Sequence, residues 1–360
     1  MKERIELRGC SLFSGAGIAE AFFKDIGVNI VLANELLPER AELYSEIYKD
    51  TTMICGDITD KKIFKKLLLK SDSIDLLIAT PPCQGLSLAG KNRSKEEIMH
   101  DKRNYLIEKV IDFILKKSPK YVLIENVPSL LNLTINYKEK QTPLIDVLIL
   151  LFGKEYNVEA RVVDSSDYGV PQTRKRAIIK LFKKGLSWDW PEKSNKISVR
   201  EAIGHLPSLE SGDKSDIPWH YAREHTKKHI LWMKNTPTGK SAFENKVYFP
   251  KKDDGTRIKG YNSTYRRIKW DQPAPTITMR NDAISSQRNV HPGRKKKDGT
   301  YSDPRVLTPL ELMLISSLPK DWKIPKETPE LLLRQCIGEG VPPLMIKKLI
   351  EPIIKNEIKN

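Results

Sequence analysis

Seven short apolar runs constrain this chain more than any other feature. They lie at residues 10–13, 29–34, 53–55, 74–80, 121–125, 158–163 and 177–182. Most are apolar rather than alternating, as in strands buried on both faces of a sheet. Helical periods fall between them, at residues 18–26, 38–48, 61–70, 105–116 and 143–151. This alternation predicts an α/β fold with a doubly wound, mostly parallel sheet. The rhythm stops near residue 183. From there to about residue 325 the sequence is polar and turn-rich, with Asp-Gly at Asp254-Gly255 and Asp298-Gly299 and with Trp and Tyr interleaved with charge. That stretch reads as a second, irregular domain. A last helix is expected at residues 343–354, and no internal repeat is evident.

Charge narrows the class of partner. The chain carries 62 Lys and Arg against 46 Asp and Glu, a net +16, with a sequence pI near 9.4. A general richness in lysine would also raise the total, so the distribution matters. Residues 251–305 hold 14 Lys and Arg against 6 Asp, a net +8, so half the excess sits in 55 residues. A concentration of this kind favours a polyanion, nucleic acid before an anionic membrane. No apolar run approaches the roughly 18 residues of a membrane span, and the N-terminus lacks the pattern of an export signal. A cytoplasmic protein is expected. None of the cysteines, Cys10, Cys55, Cys83 and Cys336, forms a C-x-x-C pair. Neither a metal site nor a redox motif is therefore expected.

Ligands of open α/β sheets bind outside the carboxyl ends of the strands, so each strand end is a candidate site. The first is followed by Phe13-Ser14-Gly15-Ala16-Gly17, whose glycines let backbone approach a ligand at a helix start. A short glycine turn is common at any such junction. Glu35 ends the second strand where a ribose diol would be held, or serves as a capping carboxylate. After the third strand, Asp57 could accept from an adenine amino group with Ile58 packing on the ring, or Asp57 is an ordinary turn residue. The fourth ends in Pro81-Pro82-Cys83-Gln84-Gly85, where two prolines stiffen the exit and present a thiol, a candidate nucleophile. The fifth closes on Glu125, a carboxylate that costs stability in an apolar strand unless it is paired or used.

With Cys83 and Glu125 a family becomes visible. The chain resembles the DNA cytosine-5 methyltransferases of bacterial restriction-modification systems over nearly its whole length. Pro81-Pro82-Cys83-Gln84-Gly85 and Glu125-Asn126-Val127 are similar to the two catalytic motifs, and Asp167-Tyr168-Gly169-Val170-Pro171-Gln172-Thr173-Arg174-Lys175-Arg176 to a third. Phe13-Ser14-Gly15-Ala16-Gly17 is similar to the cofactor motif, and Asp101-Lys102-Arg103-Asn104-Tyr105-Leu106 to a further element. Pro273-Ala274-Pro275-Thr276-Ile277-Thr278 and Arg305-Val306-Leu307-Thr308-Pro309 resemble the segment bracing the recognition domain. Gly338-Glu339-Gly340-Val341-Pro342-Pro343 resembles the last motif. The departures are Ser11 for the usual Asp, Ile18 for the last glycine of the first motif, Ala79-Thr80 for small glycines, and Glu339 for Asn.

The resemblance implies a division into a catalytic and cofactor-binding domain (1–183), a target-recognition domain (184–327) and a C-terminal segment returning to the first (328–360). It implies methyl transfer from S-adenosylmethionine to carbon 5 of a cytosine flipped out of duplex DNA, through a covalent Cys83 adduct. Glu125 would hold or protonate ring nitrogen 3. Arg174 would support the base and thiolate, and Arg176 would orient Glu125 or the base carbonyl. The cofactor set comprises Phe13, Gly15, Gly17, Glu35, Asp57, Ile58, Pro81, Glu339 and Val341. Candidate DNA contacts are Gln84, Ser87, Lys91 and Arg93 on a closing loop, with Arg266, Arg267 and Lys269 in the basic domain; Arg294, Lys295, Lys296 and Lys297 form a second dense cluster. A monomer and a cognate restriction endonuclease encoded nearby are also implied. The competing readings are a tRNA cytosine-5 methyltransferase, which the long stretch 183–269 disfavours, a silent DNA-binding relative, and an oxidoreductase, which leaves Cys83 and Glu125 unexplained.

Overall fold

The central strands form where the sequence is apolar on both faces, whereas Thr52–Cys55 and Tyr156–Asp164 keep exposed positions. Leu76–Ala79 and Tyr121–Asn126 are buried at every position. In chain order the strands are β1 (Leu7–Leu12), β2 (Val28–Glu35), β3 (Thr52–Cys55), β4 (Leu76–Ala79), β5 (Tyr121–Asn126), β6 (Thr134–Tyr137), β7 (Lys140–Pro143), β8 (Tyr156–Asp164) and β9 (Lys175–Lys183). The computed structural model describes residues 6–82 and 106–357. Cys83, Gln84, Ser87, Lys91, Arg93 and the expected closing loop lie outside the described residues.

Seven strands make one sheet in the order β3-β2-β1-β4-β5-β9-β8. The pairs from β3 through β5 are parallel, while β9 runs antiparallel to both β5 and β8. The fold is thus the expected α/β sheet, with an antiparallel edge. Strand order reverses between β1 and β4, and the pairing of Leu12 with Ala79 brings their carboxyl ends level. Flanking helices include Pro38–Ile47, Lys61–Lys70, Leu106–Lys117 and Leu144–Phe152. Their buried residues join the sheet in one core, among them Leu67, Val110, Phe113 and Leu148.

Two expectations change. The helix expected at 18–26 is two 3₁₀ turns, Ile18–Glu20 and Lys24–Ile26. The left-handed Gly17 and Gly27 bound this stretch (φ 73° and 77°), and bonds such as Phe23 N–H to Glu20 O keep it tight. The β6–β7 hairpin was not expected. Its tip, Lys138-Glu139, has positive φ at both residues (48° and 64°) without the Gly or Asn that usually marks such a turn.

Backbone contacts divide the chain into two compact units. The first comprises residues 1–164, 175–192 and 346–360, and the second 165–174 and 193–345. The second has little regular structure beyond the helices Val199–Ile203, Lys227–Lys234, Pro309–Ile315 and Glu330–Glu339. One apolar cluster in it is small, built on Trp232, Met233, Ala242, Ile284, Val290 and Val306. Buried arginines brace the irregular backbone. Arg305 is fully buried; it grips both carboxylate oxygens of Glu311 (2.8 and 3.0 Å), Asp303 Oδ1 (3.1 Å) and the Leu209 carbonyl. Arg334 donates to Asn281 and the Leu307 carbonyl and pairs with Glu330. Such pairs are held by surrounding hydrogen bonds as much as by charge. Among the described residues no helix is long and apolar enough to cross a membrane, and no cluster of three or more His, Cys, Asp or Glu could hold a metal ion.

Candidate active site

The glycine turn after β1 is fixed by its neighbours. Phe13 takes a left-handed conformation (φ 60°), and Ser14 N–H donates to the Asn34 carbonyl (3.0 Å). Glu35 at the end of β2 accepts from the backbone N–H of Gly15 (2.9 Å) through one oxygen and of Leu37 (3.0 Å) through the other. A carboxylate has about four acceptor positions, so both oxygens retain capacity for a ligand hydroxyl. A Cβ at Gly15 would meet nothing within 4 Å, so the space over the turn is open. At Gly17 a Cβ would lie 2.3 Å from the Tyr48 ring, so only glycine fits there. The Tyr48 hydroxyl also donates to the Gly17 carbonyl (2.6 Å). The Tyr44 and Tyr48 rings pack against each other beneath the turn, 4.8 Å apart and tilted by 42°, a support the sequence did not signal.

Beside this support lies a buried acid. Glu20 accepts from the Tyr44 hydroxyl, and burial raises its pKa to about 7 against the opposing bonds from Ser11 and Tyr44. Asp57 is exposed and accepts from the Thr59 N–H and hydroxyl through one oxygen (both 2.8 Å), the geometry of a turn residue. Ile58 belongs to the core and is 3% exposed. An open backbone turn, a partly used carboxylate beside it and a polar residue at the next strand end suit a nucleoside carrying a charged side chain, as S-adenosylmethionine does.

The ends of β4 and β5 are tied together. Thr80 donates to the carbonyls of Leu12 and Phe13, through its N–H (3.2 Å) and hydroxyl (2.9 Å). Pro81 is buried, and its carbonyl accepts from the Asn126 side-chain amide (2.7 Å), whose own oxygen accepts the Val127 N–H (2.8 Å). Asn126 therefore anchors the residues leading into Cys83. The sequence signal for this anchor is a second polar residue closing a buried strand.

Glu125 precedes this anchor and is 5% exposed. In the β5–β9 ladder Glu125 faces Ile178, so Arg176, two residues earlier on β9, shares its face. Arg176 Nε lies 2.8 Å from Glu125 Oε1, with both side chains largely buried. Its Nη1 donates to the Lys175 carbonyl (2.7 Å), which limits its swing.

Arg174 bonds to three backbone carbonyls of the second unit. It is 4% exposed and donates to the carbonyls of Ile277 (2.8 Å), Gly338 (3.1 Å) and Glu339 (2.8 Å). These contacts lock the 273–278 segment to the end of the Glu330–Glu339 helix. The backbones approach so closely that a Cβ at Gly338 would sit 2.2 Å from the Thr278 oxygen. Gln172 adds to the lock, donating to the Ser316 hydroxyl (3.2 Å) and accepting the Ile277 N–H (3.2 Å). Glu339 is exposed and Val341 buried.

Among the expected DNA contacts, Arg267 needs correction. It is fully buried, and its guanidinium donates to the carbonyls of Met233, His291 and Asp303. Burial lowers its pKa to about 9 despite Asp303 nearby. It is a brace with no surface to offer a phosphate. Arg266 is half-buried, bonded to the Asn262 and Gly239 carbonyls and to Glu244 (3.2 Å). Lys269 is exposed.

The comparisons agree with the class that this fold and site define, a methyltransferase. The family described as C-5 cytosine-specific DNA methylase matches residues 7–355. The chain is 56% identical over 355 residues to the type II methyltransferase M1.HgaI of Avibacterium volantium, covering 98% of this chain and 99% of the relative. It is 28% identical over 349 residues to M1.HphI of Haemophilus parahaemolyticus, covering 96% and 86%. Among solved structures, a prophage-encoded E. coli protein described as a DNA modification methyltransferase superposes with a TM-score of 0.71 at 19% identity, covering 98% of this chain and 100% of that one. A methyltransferase of Entamoeba histolytica gives 0.63 at 15% identity, covering 99% of each chain. The chain belongs to the C-5 cytosine-specific DNA methylase family. It is a DNA (cytosine-5)-methyltransferase whose cofactor is S-adenosylmethionine.

Proposed function

We propose that this enzyme is the modification methyltransferase of a type II restriction-modification system, acting in the cytoplasm as a monomer on cytosines within a specific duplex sequence. The similarity to M1.HgaI over nearly the full length of both chains supports that setting, and it implies a cognate nuclease encoded nearby. The basic excess of residues 251–305 supports a DNA-gripping second unit.

The pairing of Glu125 with Arg176, one residue from the Asn126 anchor of Pro81, carries the chemical reading. Carbon 5 of cytosine is a poor nucleophile. In the proposed reaction the Cys83 thiolate adds to carbon 6 of a flipped base, while Glu125 protonates or holds nitrogen 3. The ring becomes an enamine, and its carbon 5 would take the methyl group as the methyl–sulfur bond breaks and the sulfur leaves as a neutral thioether. Loss of the carbon 5 proton to a base then expels the thiolate and restores the ring. S-adenosylmethionine, when bound, supplies an electrophilic methyl group on a sulfonium. Phe13, Gly15, Gly17 and Glu35 would hold it at the turn after β1, with Asp57 at the next strand end. Arg176 fixes the Glu125 carboxylate for its task, and Arg174 acts as a brace through the carbonyls it holds.

Incubation with duplex DNA and radiolabelled S-adenosylmethionine, followed by bisulfite sequencing, tests this reading. Expected is 5-methylcytosine at one cytosine of one short sequence, with protection of that sequence from a specific nuclease. Methylation of tRNA and not of duplex DNA would overturn it.

A further inference from the structure

Two hairpins of the second unit are copies of one another. Lys251-Lys252-Asp253-Asp254-Gly255-Thr256-Arg257 and Lys295-Lys296-Lys297-Asp298-Gly299-Thr300-Tyr301 share Lys-Lys at their start and Asp-Gly-Thr at their tip. Their backbones match. Lys251 bridges Arg257 and Lys295 bridges Tyr301, both antiparallel. Lys252 N–H donates to the Thr256 carbonyl (2.9 Å) and Lys296 N–H to the Thr300 carbonyl (2.8 Å). Gly255 and Gly299 both have φ 84°, and each closes a turn on the lysine three residues before it (3.1 Å in both). Asp254 and Asp298 each accept the N–H of the threonine two residues on. This is a three-residue loop with glycine at its left-handed position. No internal repeat was expected from the sequence, because the copies span only seven residues and lie 44 positions apart.

One helix connects the two tips. Lys228, near the start of Lys227–Lys234, pairs with Asp253 of the first tip. At the helix end Lys234 reaches Glu210 (3.7 Å), which also holds Lys296 of the second tip (3.1 Å). The Lys234 carbonyl accepts the Tyr301 N–H (2.8 Å). Six residues of helix, about 9 Å, thus separate the two attachments. The first hairpin is anchored further by Arg257, which stacks on Phe249 (3.7 Å) and donates to the Phe243 carbonyl. Asp253 and Lys296 are used in these internal pairs. Lys251, Lys252, Lys295 and Lys297 are exposed, and among the described residues no carboxylate lies within ion-pair distance of them.

Resting on the proposed function, we infer that the two hairpins form a paired clamp on the sugar-phosphate backbone of duplex DNA. Lys251 and Lys252 form one jaw, Lys295 and Lys297 the other. Both tips are thus tethered to one short helix, which holds their lysines as parts of a single surface. Flexible ammonium groups on fixed tips suit phosphates rather than base edges, so the clamp sets register and affinity without reading sequence.

The test is the salt dependence of duplex binding by the full chain. Each neutralised phosphate adds about 0.9 to the slope of log K against log salt. The pair Lys251→Gln with Lys252→Gln, and the pair Lys295→Gln with Lys297→Gln, are each expected to lower that slope by about 1 to 2. Together they should lower it by the sum, equally on cognate and unrelated duplexes. Unchanged slopes, a slope lost from one hairpin alone, or loss confined to the cognate sequence would overturn the clamp while leaving the function intact. A wild-type chain that binds tRNA and not duplex DNA would overturn both.

Discussion

Arg176 Nε and Glu125 Oε1 stand 2.8 Å apart on one face of the β5–β9 ladder. A carboxylate in an apolar strand costs several kcal/mol unless a cation and hydrogen bonds hold it. Arg176 supplies the cation. Arg176→Lys keeps the charge and loses the planar fork. It is expected to lower kcat roughly 100–1,000-fold, the scale for losing one oriented group at a reacting centre. Binding of S-adenosylmethionine, read by calorimetry, should be unchanged because the cofactor turn lies at β1 and β2. A kcat within twofold of wild type would remove Arg176 from this role.

Glu35 holds two backbone N–H groups, of Gly15 and Leu37, and so shapes the glycine turn. Glu35→Gln retains one oxygen and replaces the other with an amide that cannot accept. The variant should bind S-adenosylmethionine about 10-fold or more weakly, from one lost hydrogen bond to a charged group. Duplex affinity measured without cofactor serves as the control and should not move.

Gly338 packs its backbone against Thr278, and Gly338→Ala would place a methyl carbon 2.2 Å from the Thr278 oxygen. Neither partner is a flexible side-chain end, so the segments must separate and the Arg174 bonds to Gly338 and Glu339 must stretch. A loss of about 2 kcal/mol or more in urea unfolding is expected, within the range for overpacking.

Acid should weaken the protein through His291. Burial first, then Arg305, lowers its pKa to about 3. Its folded pKa lies below the unfolded value of about 6.5. Its contribution is complete above pH 6.5 and is lost as pH falls towards 3, by up to about 1.4 kcal/mol per pH unit. His225, lowered to about 4 chiefly by burial, acts in the same direction. Glu20 opposes both. With its pKa raised to about 7, its contribution is present below pH 4.5 and is lost as pH rises through 7. Urea unfolding between pH 7 and 5 should therefore show a steeper acid loss in Glu20→Gln than in wild type. Equal slopes would show that the buried acid is already ionised in the folded protein.

Much of the first unit was legible because a parallel sheet buried on both faces leaves continuous apolar runs and puts its polar residues at strand ends. Glu35, Asp57 and Glu125 could be found that way. The 18–26 segment misled because its apolar spacing fits a helix, while Gly17 and Gly27 impose tight turns. Arg267 misled for a different reason. A sequence shows a guanidinium beside other cations and not the three backbone carbonyls that enclose it. In a unit braced by buried arginines, basic composition overstates the surface charge. The duplicated hairpins show where exposed lysines do remain.

Covalent capture tests the central claim most directly. The full chain would be incubated with S-adenosylmethionine and random duplex DNA containing 5-fluorocytosine, beside a Cys83→Ala variant. Fluorine at carbon 5 blocks the last elimination, so the enzyme should remain bonded to DNA through denaturing electrophoresis. The account predicts a shifted band for wild type, none for Cys83→Ala, and one enriched sequence in the captured DNA. A folded, cofactor-binding wild type that gives no band, or a Cys83→Ala variant that gives the same band, would contradict it.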